Sequence, residues 1–422
     1  MDVSIIVIGD ELLIGQVTDT NSGFIARHIA PYGWRVADVQ VVADDAAAIG
    51  RAIERGFQTA PVVLTTGGLG PTKDDITKTV MCRYFGGSLR LDENVLENVR
   101  EIVAKRGFRL NELTAAQAMV PTSARVIQNR VGTAPIMWFE LHNPTQVLVA
   151  MPGVPFETGE MFASEVFPQL LEKFPSKEAV EHHTIMVEGI TESDLATLLA
   201  DWETALPSYL HLAYLPKPGL IRLRIDGRHA DAGFIRSEAD RYAQELIALC
   251  GKHFLYDGDR TPEEILLEKL TLHGLTTGTA ESCTGGNIAH LITSVPGSSA
   301  AMEGGIVAYS NRVKTQLLGV GDDTLSHYGA VSIPVVEQMA SGARKALGCD
   351  IAIATSGIAG PTGGSDEKPV GTVCIAVATS KGIKSHTYHF PGNRGRVIDR
   401  ASATAILMAI RAIEASYQQT TA

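Results

Sequence analysis

Residues 62–77 read VVLTTGGLGPTKDDIT, and this stretch decides the fold class. Its first half, Val62–Thr66, is an apolar and β-branched run that predicts a buried strand. A glycine-rich turn follows, and a helix is predicted from there to about Gly86. A buried strand that passes through such a turn into a helix is typical of a mainly parallel sheet with helices on both faces.

The same alternation of strands and helices extends towards both ends of the chain. A helix is predicted to begin at Asn21 or Ser22 as its cap and to end at Gly33, where glycine suits a helix C-terminus. Other helices are predicted near residues 45–55, 334–347 and 396–416. The other predicted strands cover residues 3–8, 35–42, 275–280, 305–309, 351–355, 372–379 and 383–390.

The length of 422 residues is too great for one core, so two or three domains are expected. We predict an α/β protein in which two three-layer α/β domains with mainly parallel sheets are joined by a small α+β domain. The predicted boundaries are 1–172, 173–257 and 258–422. The middle segment has the pattern strand, helix, strand pair and helix.

Composition excludes several classes of protein. Hydrophobic residues make up 45% and charged residues 20% of the chain, which argues against disorder. The net charge of -11 argues against a broad nucleic-acid surface, which needs clustered Lys and Arg. The five cysteines form no C-x-x-C pair, and no apolar stretch approaches the roughly 20 residues that span a bilayer. We therefore expect a cytoplasmic protein without a membrane or nucleic-acid partner.

A second glycine-rich turn, ESCTGG at residues 281–286, follows the strand predicted at 275–280. Such turns place free backbone N–H groups beside a ligand. Ser282 in this turn is either a helix cap or a nucleophile. A serine nucleophile needs a base, and Lys314, which follows the predicted strand 305–309, supplies a candidate, since a desolvated lysine can be neutral near pH 7.

Four segments of the C-terminal third together carry a family resemblance. They are AESCTGG at 280–286, AYSN at 308–311 with Lys314, TSGIAGP at 355–361 and KPVGTV at 368–373. In this order they resemble the C-terminal amidohydrolase domain of the CinA family. The resemblance implies hydrolysis of nicotinamide mononucleotide to nicotinate mononucleotide and ammonia, without a cofactor.

The resemblance also implies the residues of the amidase site. Ser282, Tyr309 and Lys314 correspond to the family's catalytic set, and Lys314 would act on Ser282 directly or through Tyr309. Cys283 is the rival nucleophile, and the N–H groups around Thr284–Gly286 would hold the oxyanion. The predicted substrate contacts are Cys283, Thr284, Gly285, Gly286, Asn311, Gly357, Ile358, Ala359, Gly360 and Arg394.

A second group of motifs lies near the N-terminus. It consists of GDELLIG at 9–15, DTN at 19–21, GGLGPTKDDIT at 67–77 and MPGVP at 151–155. Glycines allow the backbone to approach phosphate, and carboxylates bind divalent ions. Asp74 or Asp75 could instead cap the next helix. The predicted ligand contacts are Gly9, Asp10, Glu11, Asn21, Gly67, Gly68, Gly70, Thr72, Asp74 and Asp75.

These motifs resemble the CinA N-terminal domain, which shares a molybdopterin-binding fold. The resemblance implies cleavage of ADP-ribose to AMP and ribose 5-phosphate with a divalent cation such as Mg²⁺, Mn²⁺ or Co²⁺, and Asp74 and Asp75 are the predicted metal ligands. The middle segment resembles a KH-like linker but lacks a G-x-x-G loop at Pro216–Gly219. A homodimer is expected from the resemblance. The alternative to a two-site enzyme is a nucleotide- or molybdopterin-binding interaction protein without turnover.

Overall fold

A computed structural model describes residues 1–72, 75–142, 144–175, 178–217 and 219–417. The chain divides into two compact units. The first comprises Met1–His182, Ser208–Leu210 and Asp226–Ala239, and the second comprises His183–Pro207, His211–Ile225 and Asp240–Ala422. The segment predicted as a separate middle domain is thus shared between the units, and the predicted three-domain boundaries stay a prediction.

The secondary structure alternates along most of the chain, as the sequence predicts. The strands are β1 Asp2–Ile8, β2 Arg35–Val42, β3 Val62–Thr66, β4 Leu89–Leu91, β5 Met119–Pro121, β6 Arg125–Ile127, β7 Ile136–His142, β8 Thr145–Met151, β9 Ala179–Glu188, β10 Leu210–Lys217, β11 Leu220–His229, β12 Phe254–Asp257, β13 Thr277–Glu281, β14 Met302–Val307, β15 Ile351–Gly357, β16 Thr372–Thr379 and β17 Gly382–His389. The helices are α1 Asp10–Leu13, α2 Asn21–Ile29, α3 Ala46–Thr59, α4 Thr77–Phe85, α5 Glu93–Lys105, α6 Glu112–Ala115, α7 Pro155–Met161, α8 Phe167–Lys173, α9 Glu192–Thr204, α10 Ala232–Cys250, α11 Pro262–Leu272, α12 Asn287–Thr293, α13 Asn311–Leu318, α14 Asp322–Tyr328, α15 Ile333–Leu347 and α16 Arg394–Tyr417.

The first unit is built on a six-stranded sheet in the order β2-β1-β3-β8-β7-β6. The four strands from β2 to β8 pair in parallel, and β7 and β6 add antiparallel pairs at one edge. Alternate residues of β1 enter different cores: Val3, Ile5 and Val7 pack in one, and Ile6 and Ile8 in the other. Both faces of the sheet are therefore covered, as in a three-layer α/β fold.

The second unit contains a five-stranded sheet in the order β14-β13-β15-β16-β17. The pairs of β13 with β14 and β15 are parallel, and β16 and β17 are antiparallel. Ile351 and Ile353 of β15 share a core with α11 and α16, whereas Ala352 and Ala354 meet α15. The small side chains of Ala352 and Ala354 let α15 pack closely against the sheet. The predicted α/β fold class is confirmed.

The middle segment forms a four-stranded sheet in the order β10-β11-β9-β12. Helices α9 and α10 accompany it, and β12 is an additional strand that the sequence pattern did not predict. The turn between β10 and β11 includes Pro218, which lies outside the described residues.

Two helix starts differ from the sequence predictions. The side chain of Asp19, and not that of Asn21 or Ser22, caps α2, because its Oδ1 accepts the N–H groups of both residues at 2.9 and 3.1 Å. Gly33 does adopt the left-handed conformation expected at the end of this segment. Asp75 does not cap α4, whose N-cap is Ile76 without a side-chain bond. Asp75 instead bonds within the glycine-rich loop beside the N-terminal cavity described below.

His183 in β9 is held between two carboxylates of the second unit. Its Nδ1 lies 2.9 Å from Asp240 and its Nε2 2.6 Å from Asp257. Burial lowers the pKa of His183, but the two carboxylates outweigh burial, so that the pKa is raised above its ordinary value. The protonated form is therefore favoured by folding.

This arrangement predicts a pH-dependent stability. The contribution of His183 is fully present below the unfolded-state pKa of about 6.5 and is lost as the pH rises through the raised folded-state pKa. We expect the variant His183→Gln to melt about 2–4 °C below the wild type near pH 6, with a gap that narrows towards pH 9. Thermal melts across this range test the prediction, and a constant gap would contradict it.

No helix in the described part of the chain is long and apolar enough to cross a membrane.

Candidate active sites

The two glycine-rich turns each lie at the carboxyl end of a central parallel strand. In the second unit, β13 ends at Glu281, which stands opposite Val307 of β14 and Thr355 of β15. Ser282 and Ala308 directly follow β13 and β14, and Ser356 and Gly357 are the last residues of β15. Three of the resembling motifs therefore meet at one edge of the sheet, where α/β folds place ligands.

Lys314 is the buried centre of this cluster. It lies on α13, its side chain is 1% exposed, and its Nζ is 3.0 Å from Ser282 Oγ. The same nitrogen donates to the carbonyl oxygens of Ala308 at 2.7 Å and Tyr309 at 3.3 Å. Burial lowers the pKa of Lys314. A neutral amine has two N–H donors and one lone pair, so it can bind both carbonyls and accept the Ser282 proton.

Ser282 is not a helix cap. Helix α12 begins after Gly286, which makes no side-chain cap bond. Instead Glu281, which is fully buried, accepts the N–H groups of Gly286, Ile288 and Ala289 at 2.8–3.0 Å. Glu281 thus fixes the first turn of α12 and leaves the hydroxyl of Ser282 to Lys314. Sequence reasoning overlooked Glu281, although a carboxylate directly after a buried strand was a signal.

The predicted oxyanion-binding groups require a correction. The N–H of Gly285 donates to Ser282 O at 3.2 Å and the N–H of Gly286 to Glu281, so both are already used within the turn. The N–H of Ser282 donates to Thr355 O at 3.0 Å. Within the described residues no acceptor is recorded for the N–H groups of Cys283 and Thr284. These two are the backbone donors left to stabilise an oxyanion.

Tyr309 and Arg394 form a second, exposed group beside the serine–lysine pair. The Tyr309 side chain is 63% exposed, and its Oη accepts from Arg394 Nη2 at 3.4 Å. Arg394 Nη1 donates to Gly360 O at 3.0 Å. Only the backbone carbonyl of Tyr309 contacts Lys314, which favours direct action of Lys314 on Ser282. The guanidinium and the phenol are suited to an anionic substrate group.

The other predicted contacts differ in burial and in hydrogen bonding. Gly357 ends β15, and the N–H of Ile358 donates to Thr372 O at 2.9 Å and is not free. Ala359 and Gly360 are buried, and the hydroxyl of Thr284 is 2.7 Å from that of Thr355. The first residue of α13, Asn311, is exposed. The roles of these residues in substrate binding stay predictions.

Cys283 is poorly suited to be the nucleophile. It is 6% exposed, and burial, together with the Glu281 charge, raises the pKa of its thiol to about 12. The reactive thiolate is therefore scarce at neutral pH. Next to it, the hydroxyl of Ser282 has a base at hydrogen-bond distance.

For the amidase reaction that the family resemblance implies, we expect the variant Cys283→Ala to keep turnover within about threefold of the wild type, since the substitution removes only a buried packing group. Steady-state ammonia release measures the effect, and Cys82→Ala serves as a matched cysteine control. A loss of turnover as large as that of a serine variant would instead make Cys283 the nucleophile.

The first unit contains a cavity of about 530 Å³ at the ends of β1, β3 and β8. Seven predicted contacts line it: Gly9, Glu11, Asn21, Gly67, Gly68, Gly70 and Asp75. Gly67 has a φ of 104°, and a Cβ there would lie 2.1 Å from Ile8 O, so only glycine fits. Asn21 Nδ2 donates to Gly153 O at 2.9 Å and ties α2 to the turn after β8.

Asp75 holds the glycine-rich loop in shape. Its Oδ1 accepts the Gly70 N–H at 2.8 Å, and its Oδ2 accepts the N–H and hydroxyl of Thr72 at 2.8 and 2.5 Å. Asp10 and Thr72 are not among the cavity-lining residues. The backbone N–H of Asp10 donates to Asp44 Oδ2, and the backbone N–H of Asp44 donates to Asp10 Oδ1. The predicted ligand Asp74 lies outside the described residues. The role of Asp75 as a metal ligand stays a prediction.

The charged side chains that line this cavity are all acidic among the described residues. Its acidic lining residues are Glu11, Asp19, Asp44, Asp75 and Glu157, and none of the described lining residues is Lys, Arg or His. Burial, followed by the nearby charges of Asp10, Glu11 and Asp75, raises the pKa of Asp44. The described residues contain no group of three or more His, Cys, Asp or Glu positioned to hold a metal alone. A cation here would need ligands from the substrate as well.

Two buried polar residues near the cavity were missed by sequence reasoning. Lys78 on α4 donates to Gln117 O at 2.6 Å, and burial lowers its pKa to about 8, with Asp75 opposing the shift. Gln117 lines the cavity. The available signal was the position of Lys78, three residues after Asp75 and next to the buried Thr77. The sequence alone does not show which lysines of a helix are buried.

Comparison with known proteins matches two segments of the chain to family models. Residues 4–172 match the family model described as "Probable molybdopterin binding domain", and residues 259–413 match "CinA C-terminal domain". The fold and sites thus define a two-part α/β protein with a molybdopterin-binding-type domain and a CinA C-terminal domain.

Full-length relatives share this arrangement. A CinA-like protein of Flavobacterium psychrophilum is 40% identical over 99% of this chain and 100% of its own length. One of Cytophaga hutchinsonii is 40% identical over 96% of each chain. The crystal structure of a competence/damage inducible protein from Agrobacterium tumefaciens is 41% identical, covers 38% of this chain and 98% of its own, and has a TM-score of 0.35. The chain belongs to the CinA family.

Proposed function

We propose that the C-terminal site hydrolyses the carboxamide of nicotinamide mononucleotide to give nicotinate mononucleotide and ammonia. The observation that carries the proposal is the buried contact of 3.0 Å between Lys314 Nζ and Ser282 Oγ. A lysine with a lowered pKa is a suitable base for a serine hydroxyl. A binding protein without turnover has no use for such a pair.

The proposed reaction begins with transfer of the Ser282 proton to Lys314. The Ser282 oxygen bonds to the carboxamide carbon, and the N–H groups of Cys283 and Thr284 stabilise the resulting oxyanion. Lys314 returns the proton to the amide nitrogen, the C–N bond breaks and ammonia leaves. Water then attacks the ester, gives its proton to Lys314 and releases the carboxylate product, while Ser282 recovers its proton.

Substrate placement follows from the exposed group. The phosphate of the mononucleotide would lie against Arg394, whose guanidinium is already steadied by Gly360 O and Tyr309 Oη. This position would leave the pyridine ring between the phosphate contact and Ser282. Tyr309 is in this account a binding residue that orients Arg394.

The test of this function is a substrate comparison with purified protein. We expect ammonia release from nicotinamide mononucleotide in equal amount to nicotinate mononucleotide, and much slower release from free nicotinamide, which lacks the phosphate. Absence of release from both compounds would remove the amidase proposal and leave the interaction protein as the better account. The cytoplasmic location and the homodimer stay predictions.

We further propose that the N-terminal cavity cleaves ADP-ribose to AMP and ribose 5-phosphate. The acidic lining supports this function with a divalent cation, since a diphosphate would otherwise be repelled. Mg²⁺ is usually bound by one or two carboxylates together with substrate phosphates. Asp44 and at most one further lining carboxylate would hold the cation together with the diphosphate oxygens, and the cation would neutralise and polarise the diphosphate. The glycine-rich loop at Gly67–Gly70 would position the phosphates.

A further inference from the structure

A third cavity lies within the second unit, between β17, α16 and the start of β12. Its volume is about 620 Å³. It is lined by twelve residues, including Lys252, His253, Lys384, Tyr388, Leu407 and Arg411. None of the residues assigned to the amidase site is in this set, so the cavity is separate from that site. Its size is within the range of small-molecule pockets.

The wall formed by β17 is aromatic at one end and cationic at the other. Lys384, Tyr388 and Phe390 are an even number of residues apart and therefore share one face. The rings of Tyr388 and Phe390 stack with centroids 5.5 Å apart and planes inclined by 14°. Leu407 and Met408 of α16 complete an apolar surface. A flat ring of a ligand would find both stacking and apolar partners here.

The cations of the cavity are of two kinds. Arg411 is neutralised, because it pairs with Glu188 and with Glu414 and donates to Phe254 O at 2.9 Å. Lys252 and Lys384 are exposed, and neither has a carboxylate partner among the described residues. In a chain of net charge -11, two unpaired lysines at one cavity favour an anionic ligand.

His253 adds a directional hydrogen-bonding group. Its Nδ1 lies 3.0 Å from Glu188 O and donates to that carbonyl in the neutral ring. The other nitrogen, Nε2, is then an acceptor. His253 also lines a neighbouring cavity of about 670 Å³ that contains Lys217. An N–H or O–H of a ligand could bind to Nε2.

We propose that this β17–α16 cavity binds a mononucleotide, with its base on the half-buried ring of Tyr388, which the core residue Phe390 backs, and its phosphate on Lys252 and Lys384. Inorganic phosphate alone would satisfy only the lysines, and the stacked aromatic wall would have no partner. A single-stranded nucleic acid would need a longer basic track than the two lysines provide. The ligand is therefore a small phosphate ester with a flat ring.

The test uses the full chain and 8-azido-AMP as a photoaffinity probe, followed by digestion and mass spectrometry. Peptide mapping separates this cavity from the two other nucleotide sites. We expect label on the β17 peptide that contains Tyr388, protection by AMP, and no protection by inorganic phosphate at equal concentration. The double variant Lys252→Gln/Lys384→Gln should reduce this label about tenfold, whereas the charge-matched control Lys105→Gln/Lys345→Gln should not.

Several results would overturn the proposal. Label confined to peptides of the N-terminal cavity or of the amidase site would show that the third cavity binds no nucleotide. Equal labelling of β17 in the two double variants would remove the lysines from the site. If phosphate protected the β17 peptide from labelling as strongly as AMP, the ligand would be a phosphate and not a mononucleotide. If a single-stranded RNA protected it at a lower concentration than AMP, the ligand would be a nucleic acid. Thermal melts of both double variants establish that the fold is retained.

Discussion

The variant Lys314→Arg is expected to lose about 10²–10⁴-fold in kcat for nicotinamide mononucleotide hydrolysis, although the positive charge is kept. An arginine cannot be deprotonated in a protein and so cannot take the Ser282 proton. If Lys314 acted only as a charge that stabilises the turn, arginine would be a tolerable replacement. The substitution therefore separates a base from a structural cation.

A second variant is needed because Lys314 is buried and the larger arginine can disturb the packing around it. Lys314→Met is similar in size and uncharged, so it suits the buried position but supplies no base. Both variants should be inactive as amidases while retaining a cooperative thermal transition. Substantial turnover in Lys314→Met would remove Lys314 from the mechanism.

The pH dependence of the wild type provides an independent check on the same residue. Since burial lowers the pKa of Lys314, the amine form that accepts the proton is present at lower pH than for a lysine in water. We expect kcat/KM to rise with pH and to level off below 10.5, the ordinary lysine value. A rise centred at or above that value would mean that the base is not a desolvated lysine.

Chelation of divalent cations should abolish ADP-ribose hydrolysis, by about 100-fold or more, and leave amide hydrolysis unchanged. The N-terminal cavity collects acidic side chains, and its described lining has no cation to offset a diphosphate. The Ser282–Lys314 pair, in contrast, carries out its proposed chemistry with protein groups alone. Excess EDTA followed by addition of Mg²⁺, Mn²⁺ or Co²⁺ measures both activities in one sample.

The variant Asp44→Asn sharpens this experiment, because Asp44 lines the cavity and its carboxylate accepts a hydrogen bond from the Asp10 N–H, which the amide oxygen of Asn can also accept. It should raise the metal concentration needed for half-maximal ADP-ribose hydrolysis. Glu97→Gln, on the exposed face of α5, is a matched control. ADP-ribose hydrolysis that survives EDTA would contradict the metal-dependent account, whereas its absence under all conditions would leave the cavity as a binding site.

Most of the sheet architecture could be predicted from the sequence, because many of its strands are apolar or alternating β-branched runs. Thus β2, β3 and β16 have the predicted bounds. Prediction failed where the partner of a polar side chain is distant in sequence or local alternatives compete. Asp19 rather than Asn21 bonds the first N–H groups of α2. The antiparallel strand β7 was not predicted, although it begins with the apolar and aromatic run Ile136–Phe139.

The candidate amidase site likewise has features that the sequence predicts and features that it does not. The turn around Ser282 is a local feature that the sequence predicts. The contact with Lys314 joins residues 32 apart, and it was predicted from the place of Lys314 after the strand expected at 305–309 and from the family resemblance. The role of Glu281 depends on burial, and the use of the Gly285 and Gly286 N–H groups depends on the shape of the turn. Such properties follow from packing and cannot be assigned from residue spacing.

The most direct test of the Ser282 mechanism is ammonia release from nicotinamide mononucleotide by the variant Ser282→Ala, measured beside the wild type at equal concentrations of folded protein. We predict steady release by the wild type and a loss of about 10³-fold or more in the variant, because the nucleophile is removed. The variant should still bind the nucleotide, since Arg394 is unchanged. Release by Ser282→Ala at the wild-type rate would contradict the account.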